Sequence, residues 1–484
     1  MKRKFFEEPK LSEFEKKILS CLAKKNEFED DDLDLPLLAE CILELTKLTS
    51  NYQFTTINPG LKGEALKVLQ MMQELMPTPS FFIQIPAKEY ISQMKGMPAG
   101  GKEDQQQRLM HMVDTIQEIQ GEHSSLPVIT SNQVELIKEW GRLFAAINSG
   151  DKEKAFLELN KIPPTDIVLQ SILAVHPVEY LKVIIGDSID AIRTGIKKIN
   201  ADVIITPKTF EILIYDIATT LLNPAKINFS FGLPSHHASN AEGSGFCILN
   251  KTAIILKHTE LTHMEQLKYI IVGTDVNRDN GLCAILMRTA SHLDVCHVDI
   301  FDSRVYPQQD HSFISKEFSN KGRTLGQKIK CWQQEHLKYY AVDLSLTTRS
   351  SVSVHPALLF ALKKIKETIT TAQKNNQKVM LLLPTGWDSH ENETAFCGKY
   401  IDGHFMTKSD ASKMRFNDGD LVYFYEKILD LYYENKECIE GIYWGLEGGY
   451  DKPMYEKQIQ LMLDVLMTQL IYKDADQHSQ RMQY

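Results

Sequence analysis

Four apolar, β-rich stretches in the C-terminal two-thirds of the chain each run directly into a short polar segment. This pattern constrains the fold more than any other feature. The segments are Asp275-Val276-Asn277-Arg278-Asp279-Asn280-Gly281, Val305-Tyr306-Pro307, Gly386-Trp387-Asp388-Ser389-His390 and Leu446-Glu447-Gly448-Gly449-Tyr450. An α/β sheet delivers reactive groups in this way, from the carboxyl ends of its strands. Strand-like runs at 226–231, 269–274, 293–301, 339–344, 379–383 and 441–444 alternate with helical stretches, notably 356–373 and 418–433. The alternation predicts an α/β fold, a mostly parallel sheet flanked by helices. A C-terminal helix at 457–470 is expected to pack on one face of it.

Residues 1–165 follow a different rhythm. Leu11, Phe14, Ile18, Leu19 and Leu22 fall at helical spacing, and 37–48 and 61–75 repeat the pattern. The acidic run Glu29-Asp30-Asp31-Asp32-Leu33-Asp34 reads as a solvated turn, because it lacks the glycine of a calcium loop. Residues 93–106, rich in Gly, Pro and polar side chains, read as a flexible loop. Ser131-Asn132 is expected to cap a helix whose apolar face carries Val134, Ile137, Trp140, Leu143, Phe144 and Ile147. A returning helix over 151–159 and a boundary at Ile162-Pro163-Pro164 follow. The expected organisation is an all-helical N-terminal region (1–165), a candidate partner-binding module; an α/β domain (166–475); and a polar tail (476–484).

Composition narrows the class. Apolar residues make up 43% of the 484, enough for a large core. A net charge of -9 argues against nonspecific nucleic-acid binding, which needs a basic field. The eight cysteines are scattered without a CxxC pair and read as reduced intracellular thiols. No apolar run approaches the ~18 residues of a membrane span, and the N-terminus lacks a Sec leader's apolar core. The expected location is therefore cytoplasmic or nuclear, with export by a non-Sec system left open.

The polar segments carry a parts list for metal-assisted amide hydrolysis. Asp275 and Asp388 each follow a buried strand, and two carboxylates converging over a sheet repel unless a cation lies between them. His236 and His237 follow another strand-like run, and a neutral imidazole there can accept a proton from water. Gly448 and Gly449 let the backbone turn tightly and bring Tyr450 into a cleft, where its hydroxyl can donate to a developing oxyanion. Phe246 and Tyr306, next to Gly and Pro, can form apolar walls. Taken one at a time, each has a plainer reading as a turn cap, a surface loop or a packed ring.

In this order the segments resemble the zinc-dependent histone deacetylase family, which has the arginase/deacetylase fold. The resemblance rests on Pro234-Ser235-His236-His237-Ala238, Gly245-Phe246-Cys247, Asp275-Val276-Asn277, Val305-Tyr306-Pro307, Gly386-Trp387-Asp388-Ser389-His390 and Glu447-Gly448-Gly449-Tyr450. Val175–Leu181 and Tyr339–Leu344 agree with flanking motifs, so the likeness spans about 166–475. It implies a Zn²⁺ cofactor, or another divalent metal, held by Asp275 and Asp388. It also implies His237 as general base, His236 as its electrostatic partner, Tyr450 as oxyanion donor, and Phe246 and Tyr306 as walls of an acyl-lysine tunnel. The implied substrate is an acylated protein, histones among the candidates.

Three departures stand out. Asn277 occupies the place of the family's histidine ligand, and an amide oxygen is a weaker donor to zinc than imidazole. Arg278 replaces a histidine. Gly273 replaces the aspartate that orients the first histidine, so the resemblance implies that His236 lacks its carboxylate; Asn280 is left as the partner of His237. The alternative reading is a catalytically inactive scaffold that binds a protein partner.

Overall fold

The computed structural model describes residues 81–123, 126–223, 225–263, 266–307, 323–325, 329–350, 353–394, 400–401 and 404–471. The helices expected before residue 80, the acidic run at 29–34 and the tail after 475 lie outside them. Ten strands form one sheet. In chain order they are β1 (Phe81–Ile85), β2 (Val128–Thr130), β3 (Ile227–Ser230), β4 (Lys268–Gly273), β5 (Asp294–Phe301), β6 (Arg323–Leu325), β7 (Ile329–Gln334), β8 (Leu337–Asp343), β9 (Val379–Thr385) and β10 (Ile439–Leu446). Their spatial order is β2-β1-β3-β10-β9-β4-β5-β8-β7-β6. Pairing is parallel from β2 across to β8, and the last two strands add in antiparallel fashion. The expected mostly parallel sheet is what the chain forms.

The central strands read as unbroken apolar runs because both sheet faces are covered. All of β4 and all of β9 are buried. Ile270, Ile271, Leu381 and Leu382 are fully shielded, and each such side chain contributes about 1.5–3 kcal/mol of burial. The helices Pro356–Lys374, Asp418–Glu434 and Lys452–Leu466 flank the sheet. The last begins five residues before the expected 457, with Asp451 at its N-cap and Pro453 in its first turn.

The N-terminal expectation needs correction. β1 and β2 lie within the stretch read as all-helical, so the α/β sheet begins well before residue 166. Phe81-Phe82-Ile83-Gln84-Ile85 is a strand buried at four of its five positions, and its one polar side chain, Gln84, is satisfied by Asp216 and Thr220. Ser131-Asn132 opens only a short 3-10 turn. The α-helix proper runs Lys138–Asn148 after Val134 returns to extended backbone. The returning helix is Lys152–Leu159, with Asp151 capping it through Lys154 N. Among the described residues no single helix is long and apolar enough to cross a membrane, although the bent pair Ile167–Leu173 and Val178–Thr194 passes on length and composition together.

Five neighbouring strands, β3, β10, β9, β4 and β5, end on one side of the sheet. The loops that follow them carry His236 and His237, Glu447 to Tyr450, Asp388, Asp275 to Asn280, and Tyr306 respectively. Parallel pairing is what brings these distant sequence segments to a common edge.

Candidate metal and catalytic centre

Asp275 and Asp388 are almost completely buried. Asp275 accepts from the backbone N–H of Asn277 through Oδ1 and of Gly448 through Oδ2, both at 2.8 Å. Asp388 Oδ1 accepts from Val276 N at 3.0 Å, whereas its Oδ2 is buried without a hydrogen-bond partner. Gly386 and Gly448 leave room for the pair. A Cβ on Gly386 would lie 2.1 Å from Asp275 Oδ2, and one on Gly448 2.1 Å from Asp388 Oδ2 and 2.7 Å from Asp275 Oδ2. Burial, and then the charge of Asp275, push the Asp388 carboxyl well above the usual carboxylate range. An orphaned carboxylate oxygen beside a second buried carboxylate is a site that requires a proton or a cation. The residues therefore fit a divalent metal.

This has a consequence for stability. A raised carboxyl pKa means that the folded chain holds the proton more tightly than the unfolded chain. The stabilising effect is fully present below the unfolded value near 4 and is lost as pH rises through the folded value. A divalent cation bound between the two carboxylates would take over the proton's role. Adding Zn²⁺ or Mn²⁺ to metal-free protein at pH 7 is expected to raise Tm. A cation at a hundred times its Kd adds about 2.7 kcal/mol. Differential scanning calorimetry of the wild type and Asp388→Asn checks this, and an equal rise in both would dissociate the effect from the carboxylate pair.

Asn277 is nearly buried, and its Nδ2 donates to the carbonyl of Tyr306 at 2.7 Å, which fixes the orientation of the amide. Arg278 is turned against the Phe301 ring, with its guanidinium carbon 4.1 Å from the ring centroid. Burial, and then the charge of Asp279, leave the Asp299 carboxyl pushed up to about 6 against the opposing charges of His297 and Arg278.

The two histidines are adjacent in sequence but oppositely poised. His237 Nδ1 lies 2.5 Å from Asn280 Oδ1, so Nδ1–H donates to the amide oxygen and Nε2 keeps its lone pair. Burial and the neighbouring His236 charge hold His237 well below the usual imidazole range. His236 Nδ1 lies 2.8 Å from Asp279 Oδ1 and its Nε2 3.9 Å from Asp275 Oδ2. Burial alone would lower His236, yet Asp275, the Asp279 hydrogen bond and Glu447 outweigh it and push the imidazole up to about 10. The expectation that His236 lacks a carboxylate partner is thus overturned. Asp279 supplies one from the start of the following helix.

Tyr450 is held from several sides. Its backbone N–H donates to Glu393 Oε2 at 2.7 Å. Arg108, from the helix Gln105–Glu122, donates to the carbonyls of Gly449 at 2.8 Å and Glu447 at 2.6 Å and lies against the Tyr450 ring. Gly100 and Gly101 pack so closely that a Cβ on either would meet Tyr450 at 2.6 Å or 3.0 Å. The stretch read as a flexible loop is therefore packed against the tyrosine. Burial, and then Asp388, raise the phenol pKa well above its usual value. Phe246 stands edge-on to Tyr450 with ring centroids 6.1 Å apart, and Tyr306 stands edge-on to His237 at 5.0 Å. The Ser244 and Tyr306 hydroxyls hydrogen-bond, tying the two wall segments together. Gly245 and Phe246 both adopt positive φ, and a Cβ on Gly245 would lie 2.3 Å from the His237 ring.

His236, Cys247 and Glu447 bring potential ligand atoms within 4.8 Å of one another. The Glu447 carboxylate, however, already accepts from the Ser235 backbone N–H and hydroxyl and from His236 N. We read it as the clamp of the histidine loop rather than as a ligand. Reasoning from sequence assigned no role to Asp279, Arg108, Glu393, His297 or Gly100-Gly101. Asp279 alone carried a signal, as an acid in the motif after β4.

Residues 137–466 match the family profile described as "Histone deacetylase domain". A protein named "Probable deacetylase" from Methanothermobacter thermautotrophicus is 28% identical over 167 residues, which span 33% of this chain and 46% of that relative. The chain thus covers less than half of that relative's length. The solved structure titled "Crystal Structure of HDA15 HD domain" superposes with a TM-score of 0.50 at 13% identity, covering 81% of this chain and 90% of that one. At that identity the likeness speaks for the fold alone.

Proposed function

The chain belongs to the histone deacetylase family, and from this premise we propose that it is a metal-dependent amidohydrolase that removes an acyl group, acetyl first among the candidates, from lysine side chains of proteins. The observation that carries the reading is the buried, unpartnered Oδ2 of Asp388 beside Asp275, in the company of two histidines and a tyrosine. Asp275, Asp388 and the Asn277 amide oxygen would hold Zn²⁺ or a harder divalent ion. A cation so held would polarise the substrate carbonyl and acidify a water molecule. His237, neutral at pH 7 with its Nε2 lone pair available, accepts the proton from that water. His236, protonated at pH 7, sets a fixed positive charge beside Asp275. Tyr450, kept protonated by its raised pKa, donates to the oxyanion. The amine leaves after protonation through the histidine pair.

The second reading is an inactive scaffold that binds a protein partner. It is favoured by one observation, the amide at 277 in place of an imidazole. Acetate release from acetyl-lysine peptides of histone sequence, measured on protein reconstituted with one equivalent of Zn²⁺ or Mn²⁺, separates the two. Turnover is expected, with Tyr450→Phe and His237→Gln each lowering kcat by about 10²–10³. Stoichiometric metal without turnover on acetyl-, longer acyl- or polyamine substrates would leave the scaffold.

A further inference from the structure

Asp279 occupies the N-cap position of the helix Asn280–Thr289 but makes no side-chain cap hydrogen bond. An aspartate at that position ordinarily accepts from the first turn, for about 1 kcal/mol. Here the carboxylate is turned away from the helix and spent on two imidazoles. Oδ1 lies 2.8 Å from His236 Nδ1, and Oδ2 lies 3.0 Å from His297 Nε2. His297 stands on β5 and is wholly buried, as is Asp279; the other ring nitrogen of His297 has no hydrogen-bond partner. Among the described residues, the hydrogen bond that links His297 to the centre is the one to Asp279.

Gly273, the last residue of β4, accounts for the room. A Cβ there would lie 2.2 Å from Asp279 Oδ2 and 2.8 Å from its Cγ. The space a side chain at 273 would enter is the space that the Asp279 carboxylate fills. Each residue excludes the alternative at the other position, so a carboxylate at this point can come from 273 or from 279 but not from both.

We infer that Asp279, braced by His297, is the positioning residue that orients His236, and that Gly273 is glycine because the carboxylate arrives from the helix start instead of the strand end. Two hydrogen bonds fix the carboxylate, and the carboxylate fixes the His236 ring, leaving Nε2 directed toward Asp275. The effect on turnover rests on the deacetylase reading, whereas the orientation of His236 does not.

The test is a set of four variants: Asp279→Asn, Asp279→Gly, Gly273→Asp and the double exchange Gly273→Asp/Asp279→Gly. Two readouts are taken, the side-chain ¹⁵N resonances of His236 in histidine-labelled protein, assigned with His236→Gln, and deacylation of the best acyl-lysine peptide. Asp279→Asn keeps the shape and guards against misfolding. Asp279→Asn and Asp279→Gly are expected to move the His236 resonances and to lower kcat by about 10–100-fold with KM little changed, the usual range for a supporting partner. Gly273→Asp alone should lower Tm through the clash. The double exchange should return the His236 resonances toward wild type and recover most of the lost kcat. Unchanged His236 resonances in Asp279→Asn would overturn the inference, as would a double exchange that leaves them where Asp279→Gly put them. If the resonances shift and return while no variant, nor the wild type, turns over any acyl-lysine peptide, the positioning role stands and the deacetylase reading fails.

Discussion

Gly448→Ala is expected to weaken metal binding sharply while leaving the sheet folded. The added methyl would sit 2.1 Å from Asp388 Oδ2, 2.5 Å from its Cγ and 2.7 Å from Asp275 Oδ2. Neither carboxylate can step aside at low cost. Asp388 is anchored by Val276 N, and Asp275 by the N–H groups of Asn277 and of residue 448 itself. The loop cannot retreat easily either, because Arg108 grips the carbonyls on both sides of residue 448 and Glu393 holds Tyr450 N. Overpacking of a filled site costs about 1–3 kcal/mol, and here it displaces the two side chains that would hold the cation. Titration calorimetry with Zn²⁺ and Mn²⁺ should show affinity reduced by at least about 100-fold, the upper range for disturbing even the supporting residues of a metal site. Gly141→Ala is the control. Its helix position leaves nothing within 4 Å of the new Cβ, so it should bind metal as the wild type does and gain about 0.5–1 kcal/mol. Wild-type affinity in Gly448→Ala would place the cation elsewhere, and the group formed by His236, Cys247 and Glu447 would then be the next place to look.

The sequence speaks clearly where one periodicity controls the outcome. β4 and β9 are continuous apolar runs of strand length, and they stand within two residues of where the runs predict. The polar segments after β4, β9 and β10 come to one edge through parallel pairing, and it was their order together, as the family resemblance, that pointed to Asp275, Asp388 and Tyr450. β1 and β2 were illegible for a physical reason. They are short strands at one end of the sheet, and β2, with three half-buried residues, has too little pattern to outweigh its helical neighbours. The supports of the site are hidden differently. Arg108 reaches Gly449 across 341 positions, and Glu393 reaches Tyr450 across 57. Asp279 joins His236, 43 positions back, to His297, 18 positions ahead. No local spacing encodes such contacts. The swap between 273 and 279 misled in the opposite sense: the residue at 273 announced a missing carboxylate, and only the third dimension shows that another one fills the same volume.

Asn277→His is expected to raise zinc affinity by at least about tenfold, or 1.4 kcal/mol. Position 277 is already prepared for a ligand. Its backbone N–H is bound to Asp275 Oδ1, so the residue is fixed next to one carboxylate, and the site is nearly closed to water. An imidazole is a softer and stronger donor to Zn²⁺ than an amide oxygen, whereas Mn²⁺ and Mg²⁺ favour oxygen. The substitution should therefore shift selectivity as well as affinity: zinc tighter, manganese unchanged or weaker. It also removes the amide that donates to the Tyr306 carbonyl, so a structural penalty accompanies the new ligand. Asn277→Ala isolates that penalty, because it loses the same tie and offers no donor. Competitive titration of the three proteins with Zn²⁺ and Mn²⁺, read beside acetate release, separates the two accounts of this chain. If His at 277 raises both zinc affinity and turnover, asparagine is a weakened ligand in a deacetylase centre. If it tightens zinc and lowers a turnover that the wild type shows with manganese, the asparagine belongs to an oxygen-rich centre matched to a harder ion. A variant no better than Asn277→Ala for zinc would show that residue 277 does not face the cation, and the two carboxylates would then have to hold it with His236 or with water alone.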